Sequence, residues 1–413
     1  MPKPQILSDQ ELHQLTAAFQ ESDYSKDLAL ELVASATISM VCEPGDRMAG
    51  ALSRALGKLA FLDHLVDGLA TRSVISALAH TKSVDLLRQN FGDLESTLSD
   101  SRQRWLPRLS KSRLTHLFSH SNSLGLSLVI PEHPSWPAGL DDLQDAAPAM
   151  LFIEGGNSKL AHLQDGVSIV GSRACTSYGK QVTNLLVQQL AQVSRPTVSG
   201  GAVGIDAHAH QASVDFGLQT IAVMAGGLDR KYPRANYPLF EKIRSQGALV
   251  SELPPGVAPT RWRFLQRNRL IAALTPTTVV VEAGIRSGSI RTANNALELD
   301  RQLYSVPGSV LSGASLGTNA LIADGKAEAL NDLKLFASGI QEESPGAIES
   351  ALAKRARDAI REIGYPTRSQ IAKDAGLTSA ELSIALHELK AQNHVIEDRS
   401  NKGEVHYALK YAH

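Results

Sequence analysis

The chain has 413 residues, 43% of them hydrophobic, and its 41 Lys and Arg against 42 Asp and Glu leave a formal net charge of −1. That length exceeds one ordinary domain and predicts two or three, while the apolar content excludes a disordered protein. A charge so close to zero also excludes a histone-like coat of cations, so any polyanion must be met at a confined patch.

The start, Met1-Pro2-Lys3-Pro4, leads into a polar stretch rather than an apolar one, and predicts no signal peptide. No apolar run approaches the ~20 residues that span a bilayer, so no membrane association is expected. Residues 1–125 read as a helical N-terminal domain. Apolar residues recur at helix spacing over residues 28–38 and 48–65, and Pro44-Gly45-Asp46 forms a turn between two helices. Nothing there carries chemistry, and packing or partner contact is the expected role. Cys42 in this region and Cys175 further on are far apart and lack metal-ligand spacing. They predict a reducing, cytoplasmic compartment with no disulfide framework and no metal site.

The stretch from Val129 to Pro137 is rich in proline, cannot be helical and is expected to wrap the start of the next domain. That domain, residues 126–338, alternates short apolar runs with amphipathic segments. Strands are predicted over 167–170, 197–199, 220–224, 248–251, 278–282 and 303–306. Helices are predicted over 178–193, 204–216, 239–246, 265–274 and 289–299. Such alternation gives an α/β fold, an extended Rossmann-like parallel sheet covered on both faces. Residues 339–350, with Gln341-Glu342-Glu343-Ser344-Pro345-Gly346, form a polar linker. Three helices follow in residues 351–413, one of them opened by the capping box Thr378-Ser379-Ala380-Glu381. Residues 394–396, a turn at Asn401-Lys402-Gly403 and alternating Val405, Tyr407 and Leu409 then complete a C-terminal winged helix.

Chemistry concentrates in the middle domain. Gly171-Ser172-Arg173 follows the first strand, where open parallel sheets bind ligands. Ser199-Gly200-Gly201-Ala202-Val203-Gly204-Ile205-Asp206 follows the second and opens a helix, offering backbone N–H groups to an anion. It is neither a Walker A loop nor the usual dinucleotide fingerprint. Asp206 is suited to cap that helix, and His208 and His210, two apart, cannot share a face to hold a metal. Glu282-Ala283-Gly284-Ile285-Arg286-Ser287-Gly288-Ser289 is a third such turn. Between them lies Arg261-Trp262-Arg263-Phe264-Leu265-Gln266-Arg267-Asn268-Arg269, with four arginines, two aromatics and no acid. Guanidinium forks match phosphate oxygens and aromatic faces accept bases. Together these pieces predict a groove for a strand of linked phosphates rather than a pocket for one nucleotide. No catalytic set stands out; Ser199 and Ser289 have no identifiable base.

From about Val129 to Leu330 these motifs resemble the DNA-processing protein A (DprA/Smf) family. The resemblance rests on Ile169-Val170-Gly171-Ser172-Arg173 with Tyr178 and Gly179, on the Ser199–Asp206 turn with His210, and on Tyr232-Pro233 with Asn236. Phe264 with Arg267-Asn268-Arg269, Ser287-Gly288-Ser289, and Val306-Pro307-Gly308-Ser309 complete it. The chain departs from the family pattern at Leu265-Gln266, Arg291 and Lys326. The resemblance implies a non-enzymatic, homodimeric protein without cofactor. Such a protein binds incoming single-stranded DNA during natural transformation and helps load RecA recombinase. It implies DNA contacts at Arg173, Arg261 and Phe264, with Gly171 and Ser172 beside Arg173, and phosphate contacts at Gly200, Gly201, Gly288 and Ser289. Arg267 and Arg269 are expected either to line a positive pocket that Asn268 joins, or to hold it together with Asn268 as a hydrogen-bonding brace between them. Two alternatives stand beside it. Nucleotide phosphoribohydrolases share a similar fold, but Arg291 lies near the place of their catalytic glutamate, and hydrolysis needs a group to activate water. A winged-helix regulator is the other, though Glu381 and Glu388 offset Lys390 on its third helix.

Overall fold

The computed structural model describes residues 15–16, 26–81, 83–338, 350–391, 395–399 and 405–409, which divide into two units at residues 338 and 339. Of the expected linker only Ser350 is among these residues; residues 1–4, His394 and the turn at Asn401-Lys402-Gly403 lie outside them.

Among the described residues, helices α1 (Lys26–Val41), α2 (Arg47–Leu56), α3 (Lys58–Val66), α4 (Thr71–His80), α5 (Val84–Phe91), α6 (Leu94–Trp105) and α7 (Lys111–Ser123) precede the sheet. The single helix expected over 48–65 is two. Gly57 has φ +84° and ψ 149°, outside helical space, and ends α2 while opening α3. Asp46 caps α2 and also accepts the Trp105 indole N–H at 3.0 Å, which ties the turn to the far end of the bundle. Helix α1 contributes to two apolar clusters. Ile38 and Val41 join the helical bundle with Phe61 and Trp105, while Leu32, Val33 and Ala36 pack with residues of the sheet.

Strands β1 (Ser127–Val129) and β2 (Leu151–Gly155) are followed by β3 (Val167–Val170), β4 (Thr197–Ser199), β5 (Thr220–Val223), β6 (Ala248–Ser251), β7 (Thr277–Val280), β8 (Gln302–Ser305) and β9 (Glu328–Ala329). The helices between them are α8 (Ser177–Gln192), α9 (Ile205–Asp215), α10 (Tyr237–Gln246), α11 (Arg261–Ala273), α12 (Gly288–Glu298) and α13 (Leu316–Ala323), with α14 (Leu333–Ser338) after β9. Side chains alternate across a strand, and the sheet's clusters follow that period. Val167 and Ile169 face α8 and α9, whereas Val170 packs in the cluster holding Leu270 and Ile271 of α11. Apolar residues at successive positions therefore mean burial on both faces, as expected.

The strand order is β1-β2-β6-β5-β4-β3-β7-β8-β9, parallel from β6 to β9. Strands β1 and β2 are an addition to the expected set; they pair antiparallel with each other and, through β2, with β6. From β3 the chain builds outward through β4, β5 and β6, then returns so that β7 lies on the other side of β3. That reversal opens a crevice at the carboxyl ends of β3 and β7.

The second unit holds α15 (Ala351–Ile363), α16 (Arg368–Ala375), α17 (Ser379–Ala391) and an antiparallel pair, β10 (Val395–Arg399) and β11 (Val405–Leu409). Ile360, Ile371, Leu386, Leu389 and Tyr407 form its core. The expected capping box is present: Thr378 N–H donates to Glu381 at 2.8 Å, and Glu381 N–H donates to Thr378 Oγ1 at 3.3 Å.

Gly204, at the start of α9, has φ +89° and ψ −135°, and a Cβ there would lie 2.2 Å from the Ser172 carbonyl oxygen. Gly204→Ala combines backbone strain with a clash against backbone. It is expected to destabilise the first unit by about 2 kcal/mol or more, read from urea unfolding.

Candidate nucleic-acid interface

The arginine-aromatic segment folds as the first three turns of α11, earlier than the expected start at residue 265. Thr260 caps it, its side chain accepting the Arg263 N–H at 3.3 Å. Two arginines in the first turn oppose the positive end of the helix dipole. Arg263 is compensated: its guanidinium meets Glu43 with contacts of 3.0 and 3.2 Å, and donates to the Ala258 carbonyl at 2.8 Å. Burial would raise the Glu43 carboxyl, but the hydrogen bonds and charges of Arg263 and Arg108 outweigh it and hold the group below its ordinary range. Arg261 and Trp262 are exposed, Trp262 at 57%.

The next turn points inward. Arg267, Asn268 and Arg269 are all buried, and they reach in three directions. Arg267 donates to the Gly200 carbonyl at 2.6 Å and to the Val223 carbonyl, tying α11 to the ends of β4 and β5. Asn268 donates to the Gly288 carbonyl at 3.3 Å, at the start of α12. Arg269 forms a two-pronged ion pair with Glu252, at 2.9 and 2.6 Å, just past β6. Of the two roles expected for these arginines, lining a pocket or holding it together, their contacts are those of internal braces, since buried charge survives only where it is paired or hydrogen-bonded.

Phe264 stands between the inner and outer sets. Its ring centroid lies 5.7 Å from the Arg267 guanidinium carbon and 5.4 Å from that of Arg173, which is exposed on the turn after β3. Both distances suit cation–π attraction. Tyr232 meets the same ring edge-on at 5.6 Å; thirty-two residues upstream, it gave no sequence signal of this contact. The topology therefore brings together Gly171, Ser172, Arg173, Phe264 and Arg267. Gly288 and Ser289 lie across the crevice at the start of α12, where Ser287 caps the helix and its hydroxyl is 2.7 Å from that of Ser289.

One expectation is corrected. The turn after β4 was expected to offer Gly200 and Gly201 N–H groups to phosphate. Both glycines are buried, and Gly200 N–H donates to Asp206 Oδ2 at 3.1 Å. Burial raises the Asp206 carboxyl, and the charge of Arg267 and the nearby N–H groups of Gly200, Ala202 and Gly171 act in the opposite direction. Asp206 does not cap its own helix; it reaches back across both turns. The carbonyls of the same turn are used as well, Gly200 by Arg267 and Gly201 and Ala202 by Asn236, at 2.9 and 3.3 Å. Gly200 has no room for a side chain, since a Cβ would lie 2.6 Å from the Arg267 guanidinium.

Charge in this layer is set by burial. Loss of water lowers Arg267 to about 10, against the stabilising charge of Asp206, so it stays protonated at neutral pH. Behind it His210, fully buried and 2.7 Å from Thr220 Oγ1, is pushed down to about 3 by burial and by Arg267. His210 is therefore neutral, a part of the core rather than a ligand. Glu282 is buried too, accepting from the Thr176 N–H at 2.8 Å and from its hydroxyl.

Comparison with known proteins finds relatives of one family. A family model described as DNA recombination-mediator protein A matches residues 127–341. The putative DNA processing protein DprA of Mycobacterium tuberculosis is 33% identical over 365 residues, covering 84% of this chain and 87% of the relative. The DNA processing protein DprA of Streptococcus pneumoniae is 34% identical over 260 residues, 62% of this chain and 89% of that protein. The X-ray structure of the Streptococcus pneumoniae protein superposes with a TM-score of 0.56 at 27% identity, covering 76% of this chain and 98% of its own.

Two stability effects follow. In the unfolded chain His210 takes a proton near 6.5, while in the fold it stays neutral down to about 3. The unfolded state binds more protons between those values, so this contribution is complete above pH 6.5 and is lost as the pH falls toward 3, by on the order of 4 kcal/mol. Unfolding across that window is expected to show the slope in the native protein and a flatter one in His210→Gln. Glu252→Gln, which strands Arg269 in the interior, is expected to cost about 3–5 kcal/mol in urea unfolding.

Proposed function

Because the chain belongs to the DNA recombination-mediator protein A family, also known as DprA or Smf, we propose that it binds single-stranded DNA along the carboxyl edge of its sheet and acts as a recombination mediator. The observation that carries this reading is Phe264, a partly exposed ring beside the exposed Arg173 at the reversal of strand order. Exposed Arg261 and Trp262 lie one turn away. A base stacks on such a ring whatever its identity, and guanidinium groups follow the backbone. The open start of α12 at Gly288, where an added Cβ would meet nothing, supplies the remaining polar contacts.

A binding role fits the carboxylates of this edge better than hydrolysis does. Asp206 accepts from the Gly200 N–H, Glu252 is held by Arg269 and Glu282 by Thr176. Each is engaged rather than poised beside a water-filled cleft. The family's role in transformation extends the proposal to loading of RecA recombinase, to a homodimer formed through the sheet unit, and to a cytoplasmic site of action. Among the described residues no helix is long and apolar enough to cross a membrane. The three helices and antiparallel pair of the second unit are read as a winged helix that serves as an accessory contact.

Gel shifts with poly-pyrimidine oligonucleotides are expected to show binding that is tolerant of sequence and falls steeply with salt. Phe264→Ala is expected to weaken it by about 1–3 kcal/mol through lost stacking. Arg173→Ala and Arg261→Ala should each weaken it and flatten the salt dependence. Absence of binding at low salt, or arginine variants that bind like the parent, would remove the groove from consideration.

A further inference from the structure

The Gly200 N–H after β4 donates to Asp206 Oδ2 at 3.1 Å, and the N–H groups of Ala202 in the same turn and of Gly171 after β3 lie close enough to favour the charge of that carboxylate. Convergent N–H groups of this kind are what a glycine-rich strand-to-helix turn offers a phosphate. Here the anion is covalently resident. Asp206 is 7% exposed, on the first turn of α9, and the carbonyls facing the other way are taken by Arg267 and Asn236. The surrounding glycines fix the fit: a Cβ at Gly171 would meet Ile205 at 2.6 Å, and one at Gly204 would meet the Ser172 carbonyl at 2.2 Å. Burial raises the Asp206 carboxyl, while Arg267 and the backbone donors of the two turns work the other way and favour its charged form, so its oxygens stand where those of a phosphate would otherwise lie.

We propose that Asp206 is a specificity-determining residue: its carboxylate fills the anion nest at the carboxyl ends of β3 and β4 and so excludes the phosphate of a free mononucleotide. With the nest closed, an incoming nucleic acid meets side-chain cations and the Phe264 ring. Those contacts reward a polymer with many phosphates and give a single nucleotide little. The second half of this statement rests on the groove proposed above; the first half does not.

Removal of the carboxylate separates the two. Asp206→Ala, and Asp206→Ser as a variant that keeps one hydroxyl acceptor for the N–H groups, would be titrated by calorimetry and by thermal shift with inorganic phosphate and with thymidine monophosphate. Each charge-assisted hydrogen bond regained is worth about 1.5–3 kcal/mol, so phosphate is expected to bind the variants at least about tenfold more tightly than the parent. It should also raise their melting temperature where it leaves the parent unchanged. Thymidine monophosphate should compete with an oligonucleotide for the variants only. A variant that folds only when phosphate is present supports the assignment most directly. If neither variant gains affinity for phosphate, or the parent takes phosphate equally well, Asp206 is a structural brace and the assignment falls. Oligonucleotide binding by the parent reports on the groove and phosphate binding by the variants on the nest, so either idea can fail alone.

Discussion

A guanidinium enclosed beneath the carboxyl edge of the sheet is the constraint from which the rest of the site follows. Arg267 has almost no contact with water, and such a charge is tolerated only where its donors find acceptors. It finds them in carbonyls at the ends of β4 and β5, so the position of α11 is fixed against two strands at once. The same group excludes any side chain at Gly200, keeps His210 neutral, favours the anionic form of Asp206 and sits against Phe264. The exposed ring is thus held from behind by a charge that cannot leave. Binding surfaces built on loops usually lack such support; here the ring stands on a helix braced from within.

Much of this could be read from the chain. Short strands with apolar or β-branched residues at successive positions announced a sheet covered on both faces, and glycines after the first, second and fifth expected strands marked the edge where ligands bind. The division of the arginine segment into outward and inward residues was also foreseeable, since positions about half a helical turn apart face opposite sides. What the sequence hid was the pairing. Glu43 lies 220 positions from Arg263, and nothing in either neighbourhood signals the contact. Asp206 looked like a helix cap, because residue type and place suit that role; only the approach of two turns from different strands gives it another. Strands β1 and β2 escaped notice because three to five residues without alternation are too short to distinguish from loop.

The helices before the sheet are not detached from the site. Arg263 of α11 reaches Glu43 at the end of α1, and Ser39 of α1 donates to the Glu252 carbonyl at 3.0 Å. Glu252 in turn holds Arg269. The helical layer therefore meets α11 directly at Arg263 and, through Glu252, at Arg269. An apolar cluster shared between α1, α7, α10 and the sheet makes that contact part of one core.

The ion pairs also decide how the surface looks from a distance. Of the four arginines in the segment, Arg263 and Arg269 are matched by carboxylates within 3.0 Å, and Arg267 is enclosed. Arg261 and Arg173 remain as outward charges on a body whose cations and anions nearly cancel, 41 against 42. Beyond a Debye length of about 8 Å at physiological ionic strength, such a body exerts little pull on a polyanion. Electrostatic steering then adds little to the rate of encounter. For the strand proposed above, selectivity would then lie in how long it stays once it touches the ring and the charges beside it.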